Sequence, residues 1–493
     1  MVSPDPLRTH NVIITGTSNS KTRVPARIAL GFLTAISILI CILEIRVSRS
    51  MRPIADDYTI GVTAENGLID SLMTWWQDWS GDITAMFFNT LLVGIPLQTL
   101  PWSFASAVPF LASSFLVAAA ATWMVTSGNA ATNSPGRKST VLVLYPIFLV
   151  MWWGFWWLGT LTTDVDQNLN PYPRGIAFWQ NLNAQYVFTP VALIWLWLWL
   201  LMKGSRAPRF SIGLAAIYLV LGVASGMALP VFAASSGILI LMVLLGSWLM
   251  GNLPSKAQTG RWLAAWSGIL IGGVLSHYSP GSQIRATVLP SPALDNNLIS
   301  RLIFLIPEGV VDFWGCLTDV GSFALAAVIG GVAYILCYLK VRFNAKRLLL
   351  YSIGLLAFAL IMAVVSQLAV PFSYDAWWHL TPIKTIIWLG VGTFSVSLAT
   401  YIHTRRSQPI FLTVAVFMAF AGLMLAGASV VKMNSEVLLR LEAWNKGPAP
   451  IPGGGYLTLN PGPELRGWSS TRTGLRKIYG RSLTVGKPKL SRI

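Results

Sequence analysis

Two adjacent carboxylates, Asp56 and Asp57, are the residues of this chain best suited to proton-transfer chemistry. They follow the first long apolar run and precede a predicted amphipathic helix over Ala64–Trp79. Neighbouring carboxylates repel each other, so one of the two tends to hold a proton nearer neutral pH. Such a pair suits a general base that takes a proton from a hydroxyl group. The structural alternative stays open, because Asp also caps helices and occupies solvated turns.

The composition places this acidic pair in a membrane protein. The chain has 493 residues, of which 54% are hydrophobic and 11% charged, whereas soluble domains carry about 25% charged residues. Its net charge of +17 comes largely from Lys and Arg between the apolar runs, where cytoplasmic anchoring and anionic headgroups explain them. The composition therefore excludes a soluble enzyme, and no nucleic-acid partner is predicted.

Apolar runs near the roughly 20 residues that a bilayer span needs recur along the whole chain. The first follows a basic stretch but lacks a small-residue cleavage site, so we expect a retained helix and not a signal peptide. The sequence predicts an all-α polytopic bundle of about 11 transmembrane helices with outer-face loops and juxtamembrane helices. The predicted spans are Ile28–Ile45, Ser103–Thr126, Thr140–Gly159, Val187–Met202, Phe210–Leu229, Val231–Gly251, Trp262–Ser276, Val320–Leu339, Leu348–Ser366, Thr385–Tyr401 and Ile410–Val431.

Lys and Arg in the short loops predict the orientation of these spans. We expect a cytoplasmic N-terminus over residues 1–27, a transmembrane domain over 28–431, and a basic tail over 432–493 outside the cell. The predicted outer loops cover residues 46–81, 160–186, 277–319 and 367–384. The predicted location is an inner membrane, crossed many times, with the functional face outside.

The apolar stretch Ile83–Leu100 complicates this topology, because it is interrupted by Pro96 and followed by Pro101. We expect it to dip into the membrane or to lie along its surface. The alternative is that residues 82–133 hold two full spans, which would leave Arg137 outside.

The three cysteines and four histidines are dispersed, and none has the spacing of a zinc site or a disulfide framework. Neither a metal nor another cofactor is predicted.

Short motifs in three predicted outer segments resemble a known superfamily. The Asp56–Asp57 pair in the first outer loop resembles the GT-C membrane glycosyltransferases. The sequence Ala-Asp-Asp-Tyr followed by Trp-Ser-Gly is similar to the first loop of a large bacterial family within it. The segment Ser279–Arg285 (Ser-Pro-Gly-Ser-Gln-Ile-Arg) resembles that family's later PGN-x-x-R element, and Asn181–Tyr186 supplies a third match. Asp82 and Ser282 depart from the family pattern, which has Arg and Asn there.

The resemblance implies an inverting glycosyltransferase that moves a sugar from a polyprenyl phosphate to a cell-envelope glycan or lipid on the outer face. Asp56 and Asp57 would act as the base and its helper, in an order that the sequence leaves open. Arg285 would bind the donor phosphate, because Arg grips phosphate through paired N–H groups. His277 and Tyr278 could add donors there, and His277 could equally be an interfacial structural residue. Lys384 and Arg174 are alternative phosphate contacts.

Other outer residues are candidates for binding the sugars, since aromatic faces stack on sugar rings and polar groups bond to hydroxyls. For many Trp residues the alternative is an aromatic belt at the membrane interface. The candidates are Tyr58, Trp79, Asn183, Tyr186, Asp375, Trp378 and His379.

Three other functions remain open at this stage. A flippase or transporter of lipid-linked sugars would need charged or broken helices at mid-membrane. A polymerase or ligase of the O-antigen type would use a diphosphate-linked donor. A non-catalytic membrane scaffold would give the acidic pair no chemical role.

Overall fold

A computed structural model describes the chain over residues 20–50, 56–78, 80–127, 135–156, 183–204, 211–249, 255–288, 298–369, 377–405 and 408–445. Helices and their connecting turns account for these residues, and no strand occurs among them. The protein is an all-α multi-pass membrane protein.

The first half of the chain combines long and short helices. They are α1 (Ser20–Ser50), α2 (Asp56–Thr63), α3 (Leu68–Asp78), α4 (Ile83–Asn89), α5 (Ile95–Thr99), α6 (Trp102–Ala105), α7 (Ala107–Ser127), α8 (Pro135–Trp156), α9 (Thr189–Gly204) and α10 (Ile212–Gly226). A 3₁₀ turn covers Ala64–Asn66, and π-helical turns cover Thr90–Gly94 and Asn183–Phe188.

The second half consists mostly of long helices. They are α11 (Pro230–Leu249), α12 (Lys256–His277), α13 (Pro280–Val288), α14 (Leu298–Leu317), α15 (Val320–Tyr338), α16 (Ala345–Ala369), α17 (Trp377–Arg405) and α18 (Pro409–Asn445).

Six of the described helices are long and apolar enough to cross a membrane: Val24–Arg49, Ala107–Ser127, Val320–Tyr338, Ala345–Gln367, Leu380–Arg405 and Pro409–Ser435. Shorter apolar helices coincide with further predicted spans, at Thr140–Val150, Ala184–Leu200, Ile212–Gly226 and Pro230–Leu245. The predicted span Trp262–Ser276 lies within α12, a helix of 22 residues. The total of about 11 spans stays a prediction.

Two predicted helices differ in their bounds. The amphipathic segment Ala64–Trp79 is interrupted at Gly67, whose φ of 98° is a left-handed conformation that favours glycine. A 3₁₀ turn therefore precedes it and α3 follows it. The short helix predicted over Ser435–Trp444 continues α18 without a break, since that helix runs for 37 residues.

Tight contacts fix the relative directions of three long helices. Ile40 of α1 packs at 3.4 Å from the Cβ position of Gly427 in α18, and the rings of Phe32 and Phe420 stack at 6.0 Å, so α1 and α18 run parallel. A Cβ at Gly331 of α15 would lie 2.4 Å from the Ala415 carbonyl oxygen, whereas Gly422 meets Val328, so α15 runs antiparallel to α18. The start of α15 and the end of α1 consequently lie at the same end of the bundle.

Charge is divided between the two ends. Exposed Lys340, Arg342 and Lys346 follow the end of α15, and Arg405 ends α17. Asp319 caps the opposite end of α15, where the first loop with its acidic residues begins. We name these the basic end and the acidic end.

Two helices that lead to the acidic end pack through small residues. Gly222 and Gly226 on α10 face Gly268 and Gly272 on α12, which is the G-x-x-x-G pattern of close membrane-helix contacts. A Cβ at Gly268 would lie 2.3 Å from the Leu219 carbonyl oxygen. This contact holds the ends of α10 and α12 in a fixed register.

Candidate functional site

The first loop joins the later Ser-Pro-Gly element directly. Ser276, at the end of α12, donates a hydrogen bond of 3.1 Å from its hydroxyl to Oδ1 of Asp82. The backbone N–H of Gly81 donates to the Ser282 hydroxyl at 3.0 Å. We call this contact between Ser80–Asp82 and Ser276–Ser282 the seam. The seam joins the Trp-Ser-Gly motif of the first loop to the Ser279–Arg285 motif, and Ser276 and Asp82 are 194 residues apart in the sequence.

The seam requires glycine at position 81. A Cβ there would lie 2.1 Å from the carbonyl oxygen of Ser276 and 2.5 Å from its Cα. Since real Cβ atoms do not approach backbone this closely, any larger residue would push the two segments apart. The Gly of the Trp-Ser-Gly motif is thus explained by packing.

Serine chemistry shapes the other side of the seam. The Ser279 hydroxyl accepts from the Ser282 N–H at 3.1 Å, so Ser279 caps α13, and Pro280 follows at the first helical position. The Ser282 hydroxyl also donates to the Ser276 carbonyl at 2.8 Å. Ser282, a departure from the family pattern, therefore bonds to both segments through one oxygen.

Asp82 is the described carboxylate most enclosed within this site, at 6% exposure. The Thr84 N–H that follows it donates to the Met227 carbonyl at 2.9 Å, at the end of α10. The packed pair α10 and α12 thus holds both flanks of Asp82. The family pattern has Arg at this position, whereas here the Ser276 hydroxyl donates to the carboxylate of Asp82.

A second contact joins the third sequence match to the segment after Asp82. Asn89, at the end of α4, donates to Oε1 of Gln185 at 3.4 Å, and both side chains are buried. Asn89 precedes one π-helical turn and Gln185 lies within the other, and such distortions are frequent at functional sites. Oδ1 of Asn89 has no hydrogen-bond partner among the described residues, so this buried pair keeps an unused acceptor.

The helix that begins with the acidic pair lies over the same segment. The Ser71 hydroxyl lies 3.1 Å from the Thr90 hydroxyl and 3.3 Å from that of Thr63. Gly94 packs on Ile60, and the Gln98 amide donates to the carbonyl of Gly61. Residues 83–99 are therefore covered by α2 and α3 along most of their length.

The predicted catalytic residues lie at the start of that covering helix. Asp56, Asp57 and Tyr58 form the first turn of α2, and Arg285 lies within α13. Their side chains are outside the described residues, as is that of Asn183. α3 contacts both α2 and α13, so the helices that carry Asp56, Asp57 and Arg285 share a neighbour.

The remaining predicted residues differ in placement. His277 and Tyr278 are exposed at the end of α12 with their rings edge to face at 4.9 Å. Tyr186 is half-buried against the main core. Trp79 and Asp375 lie outside the described residues, and for Trp378 and His379 only the backbone, in the first turn of α17, is described.

A second polar cluster at the acidic end was only partly foreseen. Lys384, an alternative phosphate contact in the sequence, is buried and forms an ion pair with Asp319. Between α16 and α14, the Gln367 amide donates to the Asp312 carboxylate. The sequence placed Lys384 at the end of the predicted outer loop 367–384, whereas the structure buries it within α17.

Comparisons with known protein families, with curated proteins and with solved structures found no match to this chain.

Proposed function

We propose that this protein is an inverting glycosyltransferase of the GT-C type, acting on the outer face of a bacterial inner membrane. An acceptor hydroxyl loses its proton to Asp56 or Asp57 and attacks the anomeric carbon of a polyprenyl-phosphate-linked sugar. The new C–O bond forms as the bond between the anomeric carbon and the phosphate oxygen breaks. The products are the glycosylated glycan or lipid and the free polyprenyl phosphate.

The observation that carries this proposal is the seam, together with the Asn89–Gln185 contact. Three sequence segments that carry the resemblance are far apart in the chain, yet they converge on residues 80–99. A structural scaffold would not require these particular segments to meet. A shared site for donor and acceptor would.

The distribution of charge supports the proposed orientation. Exposed Lys340, Arg342, Lys346 and Arg405 lie at the basic end, which is the pattern of a cytoplasmic face, whereas exposed Arg46 and Arg49 lie near the end of α1 at the acidic end. The acidic pair would then face outside, where lipid-linked donors of this class are used. The segment Ile83–Thr99 is about 25 Å long at roughly 1.5 Å per residue, short of the ~30 Å hydrocarbon core. Its cover by α2 and α3 favours a path along or part-way into the membrane.

Catalysis by the acidic pair is tested with Asp56→Asn and Asp57→Asn in the full-length protein. Each purified variant is reconstituted in proteoliposomes with undecaprenyl-phosphate-linked glucose, mannose or arabinose. An envelope extract from a strain that lacks this protein supplies the acceptor. We expect at least one variant to lose transfer by about a hundredfold or more, because a positioned base contributes about 10²–10⁴-fold.

Exposed carboxylates of the same loop provide the matched controls. Asp70→Asn and Asp78→Asn remove one negative charge each from α3 without touching the pair, and both should retain transfer. Normal transfer by both Asp56→Asn and Asp57→Asn would refute the mechanism. Movement of the labelled lipid across the bilayer without any glycosylated product would favour a flippase instead.

A further inference from the structure

A groove opens between α1 and α18, near the start of each helix and thus at the basic end of the bundle. It has a volume of about 510 Å³ and is lined by residues 25–33 of α1 and 412–420 of α18. Leu33 is buried at its base, whereas Phe32 and Phe417 are 57% and 69% exposed at its edges. The groove therefore opens sideways to the surroundings of the bundle, where a membrane protein meets lipid.

The groove is closed towards the acidic end. The rings of Phe32 and Phe420 stack at 6.0 Å, and α1 packs directly on Gly427 beyond them. Over residues 25–33 the groove is about 12 Å long at roughly 1.5 Å per residue, which is close to half of the ~30 Å hydrocarbon core. It spans one leaflet only, so it is too short for the transmembrane helix of a partner and matches a fatty acyl chain.

The chemistry of the lining also suits an acyl chain. Thr413 is the single polar residue among those that line the groove, and its hydroxyl donates to the Pro409 carbonyl of the same helix at 3.3 Å. A polar ligand would lose its hydrogen bonds to water here without gaining others. The groove therefore accepts an apolar chain.

Basic residues lie close in sequence to the mouth of the groove, which is the end that Pro25 and Leu412 line. Arg27 is exposed on α1, Arg405 is exposed at the end of α17, shortly before α18 begins, and Lys21 lies one turn before the first lining residue of α1. Neither α1 nor α18 has an acidic residue in its first turn. Since basic residues at a membrane surface attract anionic headgroups, the mouth favours a negatively charged lipid over a neutral one.

We infer that the groove between α1 and α18 is a binding site for one anionic phospholipid of the leaflet at the basic end. One acyl chain lies along the groove, and the phosphate of the headgroup lies among Lys21, Arg27 and Arg405. The bound lipid acts as a wedge that fixes the distance between the starts of the two helices. This inference is independent of sugar transfer, because neither the seam nor the acidic pair takes part in the binding.

The experiment measures lipid retention by native mass spectrometry of the full-length protein. The protein is released from nanodiscs that contain equal amounts of phosphatidylglycerol, which is anionic, and phosphatidylcholine, which is neutral. We expect a single phosphatidylglycerol to be retained per protein molecule. Ala29→Phe places a ring in the groove and should lower this retention by about tenfold or more. Ala216→Phe adds the same ring to an exposed position of α10, so it is the matched control and should retain the lipid.

A second pair of variants tests the headgroup. Lys21→Gln combined with Arg27→Gln removes two cations near the mouth and leaves the groove itself unchanged. The preference for phosphatidylglycerol over phosphatidylcholine should then fall about tenfold or more, because the attraction of the anionic headgroup is lost. Arg342→Gln combined with Lys346→Gln removes two exposed charges elsewhere at the basic end and should keep the preference.

Melting temperatures identify variants that fail to fold, and Ala29→Leu, a smaller change, should still lower retention several-fold. Unchanged retention by both Ala29 variants, or an equal loss in Ala216→Phe, would overturn the groove as the site. Equal retention of the two lipids by the unmodified protein would overturn the assignment to an anionic lipid. Retention only after deletion of residues 1–19 would show that this segment fills the groove, and a dimer that Ala29→Phe dissociates would assign the groove to a second copy. Either result would overturn the lipid site.

Discussion

The hydroxyl of Ser276 donates to the carboxylate of Asp82 at 3.1 Å, across 194 residues of sequence. This bond ties the start of the segment after the first loop to the end of α12. Because both residues are buried, neither can regain water as a partner without opening the seam. The seam is therefore a place where small substitutions should have measurable effects.

Replacing Ser276 by Ala should destabilise the protein by about 1–3 kcal/mol, the cost of leaving a buried acceptor short of a donor. The measurement is the melting temperature of the purified protein in detergent, followed by its transfer activity. Ser235→Ala is the matched control, because that buried hydroxyl donates only to the Val231 carbonyl of its own helix. Equal melting temperatures for the two variants would argue against a stabilising role for the seam.

Adding one methyl group at Gly81 should open the seam. Gly81→Ala places a Cβ against the backbone of Ser276, and overpacking of this kind costs about 1–3 kcal/mol or more. We expect a lower melting temperature and a loss of transfer. Gly273→Ala, on α12 itself, meets no atom within 4 Å and should be neutral or stabilising. If Gly81→Ala retained full activity and stability, the described geometry of the loop would be wrong.

The close contact of α10 with α12 should be needed to hold Asp82 in place. Gly268→Ala directs a Cβ at the Leu219 carbonyl, so the helices must separate and shift Met227 relative to Ser276. Transfer should fall even though position 268 is far from the acidic pair in the chain. Gly237→Ala makes only an ordinary contact, at 3.7 Å from Ile269, and should behave as the unmodified protein. Cysteine crosslinking between positions 227 and 84 would report the shift directly.

Stability should depend on pH through Asp312. Burial raises the pKa of this carboxyl above its ordinary value of 3.8, Glu308 raises it further, and the hydrogen bond from Gln367 lowers it. As pH rises past about 4, the unfolded chain ionises first, so this residue contributes less stability up to its raised folded pKa.

The Asp312→Asn variant should remove that dependence. Its amide oxygen can still accept from Gln367, and no charge is buried. We expect a higher melting temperature than that of the unmodified protein at about pH 7 and a smaller difference at about pH 4, where folding has to bury less charge at Asp312. Asp70→Asn changes an exposed site, so its melting temperature should differ from that of the unmodified protein by the same small amount at both pH values. If Asp312→Asn changed the melting temperature by the same amount at both pH values, this result would contradict a raised pKa for Asp312.

The membrane class and most helix positions were predictable because they depend on local composition. Apolar runs of about 20 residues are stable only in a bilayer or in a buried core. Six of the predicted spans are long apolar helices in the structure. Helix ends were less predictable. Gly67 divides the predicted first-loop helix, and α18 continues past the predicted end of its span, since a polar segment can extend a helix already formed.

The amino-acid sequence by itself determined an all-helical membrane protein and pointed to Asp56, Asp57, Ser279–Arg285 and Lys384 as residues of interest. Only the tertiary structure decided which of these segments meet. The pairing of Asp82 with Ser276, and of Lys384 with Asp319, depends on helix directions and on glycine contacts between helices far apart in the chain. Hydropathy carries no information on such partners, because a buried polar group needs a complementary group in space and not at any fixed spacing in sequence.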